Sequence, residues 1–172
     1  MTERAAYHAR MAALVGTRDH FAVLETTPSR LHHLALTYPA VVWRTQPFPS
    51  KWAPREIVTH LVDHEVVMAY RLRRVILEGA ARIDGYPQER WIACRGEDGR
   101  SLSRLLETFE SLRADTLSLW RILPEGRLDD PVTRSDGALE TLSLLRMTHA
   151  GHDLAHLEQL ERYLNAAHGE QS

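Results

Sequence analysis

The stretch from Thr148 to Leu164, THAGHDLAHLEQLERYL, constrains this chain more than any other, because as a helix it carries three histidines on one stripe. At ~100° per residue, His152 and His156 lie ~40° apart and one turn apart in height, and His149 falls on the same side. Two imidazoles therefore face one point in space, the i, i+4 arrangement with which a helix offers two nitrogens to a metal ion. A metal held by protein needs at least a third ligand, so a second element must bring one to this stripe.

A chain of 172 residues fits one domain, residues 1–172, and can build a substantial core without covalent staples. The single cysteine, Cys94, has no partner for an internal bridge. The N-terminal MTERAAYHARMAAL contains no unbroken apolar run, so neither a signal peptide nor a membrane span is expected, and the cytoplasm is the default location. With 21 Lys and Arg against 23 Asp and Glu, nothing electrostatic favours nucleic acid or an anionic membrane as partner. Ten histidines are the outlier, and they invite a metal reading.

Residues 4 to 24 carry apolar residues at helical spacing, interrupted at Gly16 and Thr17, which predicts one or two short helices. Thr27 as cap and Pro28 at the first turn predict a helix from about Pro28 to Tyr38. Four prolines in TYPAVVWRTQPFPSKWAP make that run a connection. From Pro54 a long helix is expected to end at Gly79, its inward stripe formed by Ile57, His60, His64, Val67, Met68, Arg71 and Val75. Residues 80 to 100, rich in glycine and charge, read as a long crossover loop. Ser101 should cap a third long helix whose apolar side runs from Leu102 through Phe109 and Leu119 to Ile122. The last helix spans about Ala138 to Ala167, and no segment alternates with period two.

Four principal amphipathic helices with such connections imply an all-α bundle, a fold that places metal ligands on facing helices. The third ligand is then His60 or His64. A single histidine on an apolar face is ordinarily a hydrogen-bonded core residue. Several on two helices are different, because one cation satisfies three imidazoles at once. Gln159, one turn past His156, is placed to hydrogen-bond a ligand or to cap onto a neighbouring helix. Arg71 could meet a carboxylate of a cosubstrate, or bury its stem and snorkel outward, the reading its type favours. Trp52 and Trp91 read as packing residues at the bundle's end, with lining of the pocket as the alternative, and Cys94 as an incidental loop thiol.

The run KWAPREIVTHLVDHE resembles the W-x-P-x-E-[IV]-x-x-H-L-x-D-x-E segment of the DinB/YfiT-like superfamily, and GHDLAHLEQL resembles its second signature, H-x-x-x-H-x-x-Q. ETTPSRLHHL, ERW and the SL that follows also fit, so the likeness covers roughly residues 20 to 165 and leaves the N-terminal ~20 residues as an extra helix. The resemblance implies a DinB-like four-helix bundle, often a homodimer, with a divalent metal, zinc or nickel, held by His60, His152 and His156. His64 and His149 match no ligand of the motif. It further implies two kinds of chemistry, thiol-dependent S-transfer and mycothiol-dependent isomerisation, within a family of which many members have no assigned activity.

Three neutral imidazoles and an open metal position suit a thiol made nucleophilic, or a water made so. The expectation is transfer from a low-molecular-weight thiol to a small electrophile, because the inward stripes carry no clear carboxylate base for hydrolysis. Asp63 and Asp153 lie near enough to keep hydrolysis open as the alternative, and a non-catalytic, stress-related metal-binding module is the other.

Overall fold

The computed structural model describes residues 2–80, 82–95 and 99–169. Six helices dominate: α1 (Glu3–Val15), α2 (His20–Thr37), α3 (Pro54–Leu72), α4 (Gln88–Arg95), α5 (Leu102–Ile122) and α6 (Leu142–Gly169). Helices α2, α5, α3 and α6 pack in that order into a closed ring, and α1 lies against α6. The expected all-α four-helix bundle is therefore the fold.

Apolar side chains gather in two clusters at opposite ends of the ring. One holds Leu24, Met68, Leu72, Trp120, Leu145 and Leu154. The other holds Leu31, Ile57, Leu61, Phe109, Leu157 and Leu164. Each helix passes from one cluster to the other, α2 and α6 in one direction and α3 and α5 in the opposite one. Since α3 and α5 run parallel, the chain between them must cross the length of the bundle. Between the clusters sit the buried polar residues His60, Asp63, Glu65, Arg113, Thr116, His149, His152 and Asp153. The bundle thus consists of two hydrophobic halves around a polar waist.

Local chemistry explains the element ends. Asp19 caps α2 through Oδ1, which accepts from the Ala22 N–H at 2.8 Å. The Ser101 hydroxyl caps α5 by accepting from the Arg104 N–H, as its type predicts. Glu56 anchors the start of α3, its Oε2 accepting from the Ala53 N–H at 2.7 Å. The α1–α6 crossing is close enough to require glycine: a Cβ on Gly151 would lie 2.7 Å from Met11 Cβ and 2.9 Å from Met11 Cα.

Five sequence expectations are corrected. Pro28 does not start a helix but sits inside α2, and Thr27 is no cap, since its hydroxyl donates to the Val23 carbonyl at 2.9 Å. The helix expected from Pro54 to Gly79 changes after Leu72 to a π turn over Arg73–Leu77 before Gly79, at φ 68°, ends it. The crossover is not all loop, for it contains β1 (Arg82–Ile83) and α4, which places Cys94 on an exposed helix; positions 81 and 96–98 of that expectation lie outside the described residues. Strands β2 (Pro131–Arg134) and β3 (Leu139–Thr141) form a hairpin, with β1 parallel to β2, and they delay the last helix to Leu142. Strands of two to four residues are too short to write a period-two pattern. Ile122, expected inward, is 57% exposed because it is the last residue of α5, where the bundle ends.

Candidate metal centre

The waist of the bundle brings His60 of α3 against His152 and His156 of α6. His60 Nε2 and His152 Nε2 are 3.0 Å apart. Ring centroids of His60 and His156 are 4.7 Å apart, and those of His152 and His156 4.4 Å. One ring nitrogen from each of the three lies within 4.8 Å of the other two.

This set fits a metal ion on two grounds. Nitrogens bound to one zinc at about 2.0–2.1 Å and tetrahedral angles lie roughly 3.3 Å apart, within a few tenths of an ångström of the His60–His152 separation. Moreover, the buried His152 ring packs against the imidazoles of His60, His64 and His156, and among the described residues its Nε2 meets only the like nitrogen of His60. Burying polar rings without partners is costly, and a shared cation removes the cost.

Protonation is arranged accordingly. Burial, reinforced by His156, pushes the His60 imidazolium pKa down to about 3. Burial and the surrounding histidines hold His152 well below its usual value. Burial lowers His156 too, with Gln159 and then Asp153 acting the other way. The rings are neutral at neutral pH, the state in which imidazole donates a lone pair. Gln159 Oε1 lies 2.9 Å from His156 Nδ1, so Nδ1–H donates and Nε2 keeps its lone pair. Tyr86 OH lies 3.4 Å from His60 Nδ1 on the far side of that ring, and Trp52 packs against the same imidazole at 5.1 Å.

His64 and His149 belong to a second grouping, with Glu65. His64 stacks on His152, centroids 3.9 Å apart, and burial holds its pKa well below the usual value. The tautomer of His149 follows from its neighbours. Trp120 Nε1–H, which can only donate, points at His149 Nδ1 at 3.3 Å, so Nδ1 carries the lone pair. Nε2–H then donates to Glu65 Oε1 at 2.6 Å. Both nitrogens are occupied, and His149 has nothing left for a metal.

Glu65 is saturated as well. Its Oε1 accepts from Arg113 Nη2 at 2.8 Å and its Oε2 from the Thr116 hydroxyl at 2.6 Å. Desolvation pushes the Glu65 pKa upward, but Arg113 and His149 outweigh it and hold the carboxyl well below its normal range. Arg113 also grips Asp153 through two hydrogen bonds, of 2.6 and 3.0 Å. Although burial disfavours its charge, the two carboxylates raise its pKa above the usual arginine value. One guanidinium thus ties two carboxylates together beside the three imidazoles.

The structure brings His60, His152, His156 and Gln159 together. It puts His64 against His152 and His149 one network away. Arg71 does not snorkel; it is 6% exposed and lines a cavity beside the cluster. Trp91 packs on Tyr86 at 4.8 Å. Glu65, Arg113, Thr116, Trp120 and Tyr86 were not picked out by periodicity. For Glu65 the signal was present, as the last residue of the H-L-x-D-x-E motif.

The chain belongs to the DinB superfamily, whose family profile matches residues 23–160. Among solved structures it is similar to YfiT from Bacillus subtilis, described as a probable metal-dependent hydrolase with an unusual four-helix bundle topology. The TM-score is 0.70 at 22% identity, over 85% of this chain and 86% of that one. It is also similar to a variant of the mycothiol-dependent maleylpyruvate isomerase, with TM-score 0.65 at 11% identity over 82% of this chain, but it spans only 59% of that protein. No curated protein matches.

Proposed function

We propose that this protein is a metal-dependent thiol S-transferase, in which His60, His152 and His156 hold a divalent cation, zinc or nickel, and a low-molecular-weight thiol attacks a small electrophile. Bound there, a divalent cation supplies Lewis acidity that lowers the pKa of a thiol from about 8.5 into the neutral range. The protein's share is positional. Gln159 fixes the His156 tautomer. Trp52 and Tyr86 cover the His60 ring and limit water. The thiol, acidified into the neutral range, releases its proton to solvent, its sulfur bonds to the electrophilic carbon, and the leaving group departs with the electron pair.

The observation that carries the choice of transfer over hydrolysis is the engagement of Glu65 and Asp153 by Arg113. A metal-assisted hydrolase needs a carboxylate free to take a proton from water, and these two are committed to a guanidinium. Hydrolysis stands as the second reading because of the likeness to YfiT and because Asp63, buried on α3, lies in the same layer. The test is to offer metal-loaded protein a chromogenic electrophile with a panel of thiols. Turnover that needs thiol and vanishes in His156→Ala supports transfer. Turnover without thiol means hydrolysis, and silence across the panel favours a binding module without catalysis.

The homodimer that the family likeness implies is part of the same proposal. Val66, Tyr70 and Leu77 form an exposed apolar stripe on and just past α3 that suits a helix-face contact. Light scattering that reports a monomer at high concentration removes it.

A further inference from the structure

A cavity of about 420 Å³ lies among α1, α3, α6 and the β2–β3 hairpin, and opens onto the His152 side of the imidazole cluster. Its wall carries Arg4, Arg71 and Arg134 against Glu3 and Glu140. Glu140, 5% exposed, is already shared. Arg134 Nη1 approaches its Oε2 at 3.3 Å, while Arg4 Nη1 and His8 Nε2 approach Oε1 at 3.5 and 3.3 Å. Arg4 is paired with Asp136 besides.

Arg71 is different, having no carboxylate partner among the described residues. Its Nε, at 3.0 Å, and its Nη2 both donate to a single neutral acceptor, the Asp84 carbonyl. Its Nη1 meets only the Met68 sulfur, at 3.9 Å, a weak acceptor. Burial and then the charge of Arg134 lower its pKa to about 10, against the opposing pull of Tyr86 and of the Glu140 and Asp84 carboxylates, which still leaves it a cation at neutral pH. A buried guanidinium with neutral partners and a second cation beside it is an anion site, and a planar fork matches a planar carboxylate.

We propose that this cavity binds a small carboxylate-bearing molecule, anchored on Arg71 with Arg134 beside it, the rest of the molecule extending past Tyr86 toward His152. The assignment rests on the metal-centre reading for what the far end meets, and on Arg71 alone for the anion. The wall formed by Glu3, Arg4, Tyr7 and His8 of α1 lies outside the residues that match the family. The choice of ligand is thus set partly by a helix that the shared family pattern does not include.

The test is isothermal titration of the full-length protein, metal-loaded and chelator-treated, with succinate and with its uncharged counterpart succinamide at constant ionic strength. Succinate should bind saturably at one site and succinamide should not. Arg71→Gln should weaken succinate at least about tenfold, the loss of one charge-assisted hydrogen-bonded contact. Because Arg71 also holds the Asp84 carbonyl, Arg134→Gln serves as second variant, with about threefold weakening expected from the loss of a neighbouring charge. The chelator-treated protein should keep its succinate affinity. Affinity unchanged in both variants, the absence of saturable binding, or binding that depends on metal and ignores Arg71 overturns the proposal. Metal analysis of the same samples reports on the metal-centre reading separately.

Discussion

The Leu24 carbonyl accepts a hydrogen bond from Arg113 Nη1 at 2.8 Å, and the reason lies four residues further along α2. Pro28 occupies the helix interior and has no N–H, so the carbonyl at position 24 lacks its usual i+4 donor. Arg113 supplies the replacement and at the same time clamps Glu65 and Asp153. A proline in one helix, a guanidinium on a second and carboxylates on two more are thereby tied together at the waist.

Removing the clamp should be severe. Arg113→Met leaves two buried carboxylates without a countercharge, and a cost of about 3–5 kcal/mol is expected, the range for breaking a buried ion pair from one side. Chemical denaturation measures it. A loss under about 1 kcal/mol would mean that Glu65 and Asp153 are hydrated or protonated in the folded state.

Relieving the proline should do the reverse. Pro28→Ala restores an N–H facing the Leu24 carbonyl, which has two lone pairs, so Arg113 need not let go. Weighing the interior penalty of proline against its smaller benefit in the unfolded chain gives an expected gain of about 1–2 kcal/mol. Thermal unfolding of the two proteins compares them.

Much of this was legible beforehand, and what was not has physical causes. The i, i+4 pairs put His60 and His64 on one stripe and His152 and His156 on another, because helical period alone decides which side chains share a face. Period could not choose between His60 and His64, since both point inward. The choice depends on the heights at which α3 and α6 cross, which no local pattern encodes. Glu65 and Arg113 stayed hidden because charged residues are read as solvated until a countercharge on another helix is known. Pro28 misled because proline at a first turn is far commoner than proline in a helix interior rescued from a distance.

Acid should unfold the metal-free protein early. His60 has a folded pKa of about 3 against 6.5, and His152 and His64 are lowered as well, so below pH 6.5 the unfolded chain takes up protons that the folded chain refuses. Stability is therefore complete above pH 6.5 and falls as pH drops beneath it, by about 1.4 kcal/mol per pH unit for each such imidazole. Denaturation midpoints of the chelator-treated protein between pH 7.5 and 5 should decline steeply. A flat profile would mean that these rings protonate in place.

The α1–α6 crossing gives a prediction that does not involve charge. Gly151→Ala places a methyl group 2.7 Å from Met11 Cβ, so α1 must move off α6. A destabilisation of about 1–3 kcal/mol is expected from the overpacking. It should be visible as faster amide exchange in α1 than in α3, and equal exchange in both would contradict the close approach.

The central claim is that one divalent cation is held by His60, His152 and His156 and not by the neighbouring His64, Glu65 and His149. Elemental analysis of protein purified without an affinity tag tests it most directly. About one metal per chain is expected, falling at least tenfold in His60→Ala and in His156→Ala but kept in His149→Gln, since both His149 nitrogens are engaged by Trp120 and Glu65. Full occupancy in the first two variants, or its loss in His149→Gln alone, would place the metal in the other cluster and contradict the account.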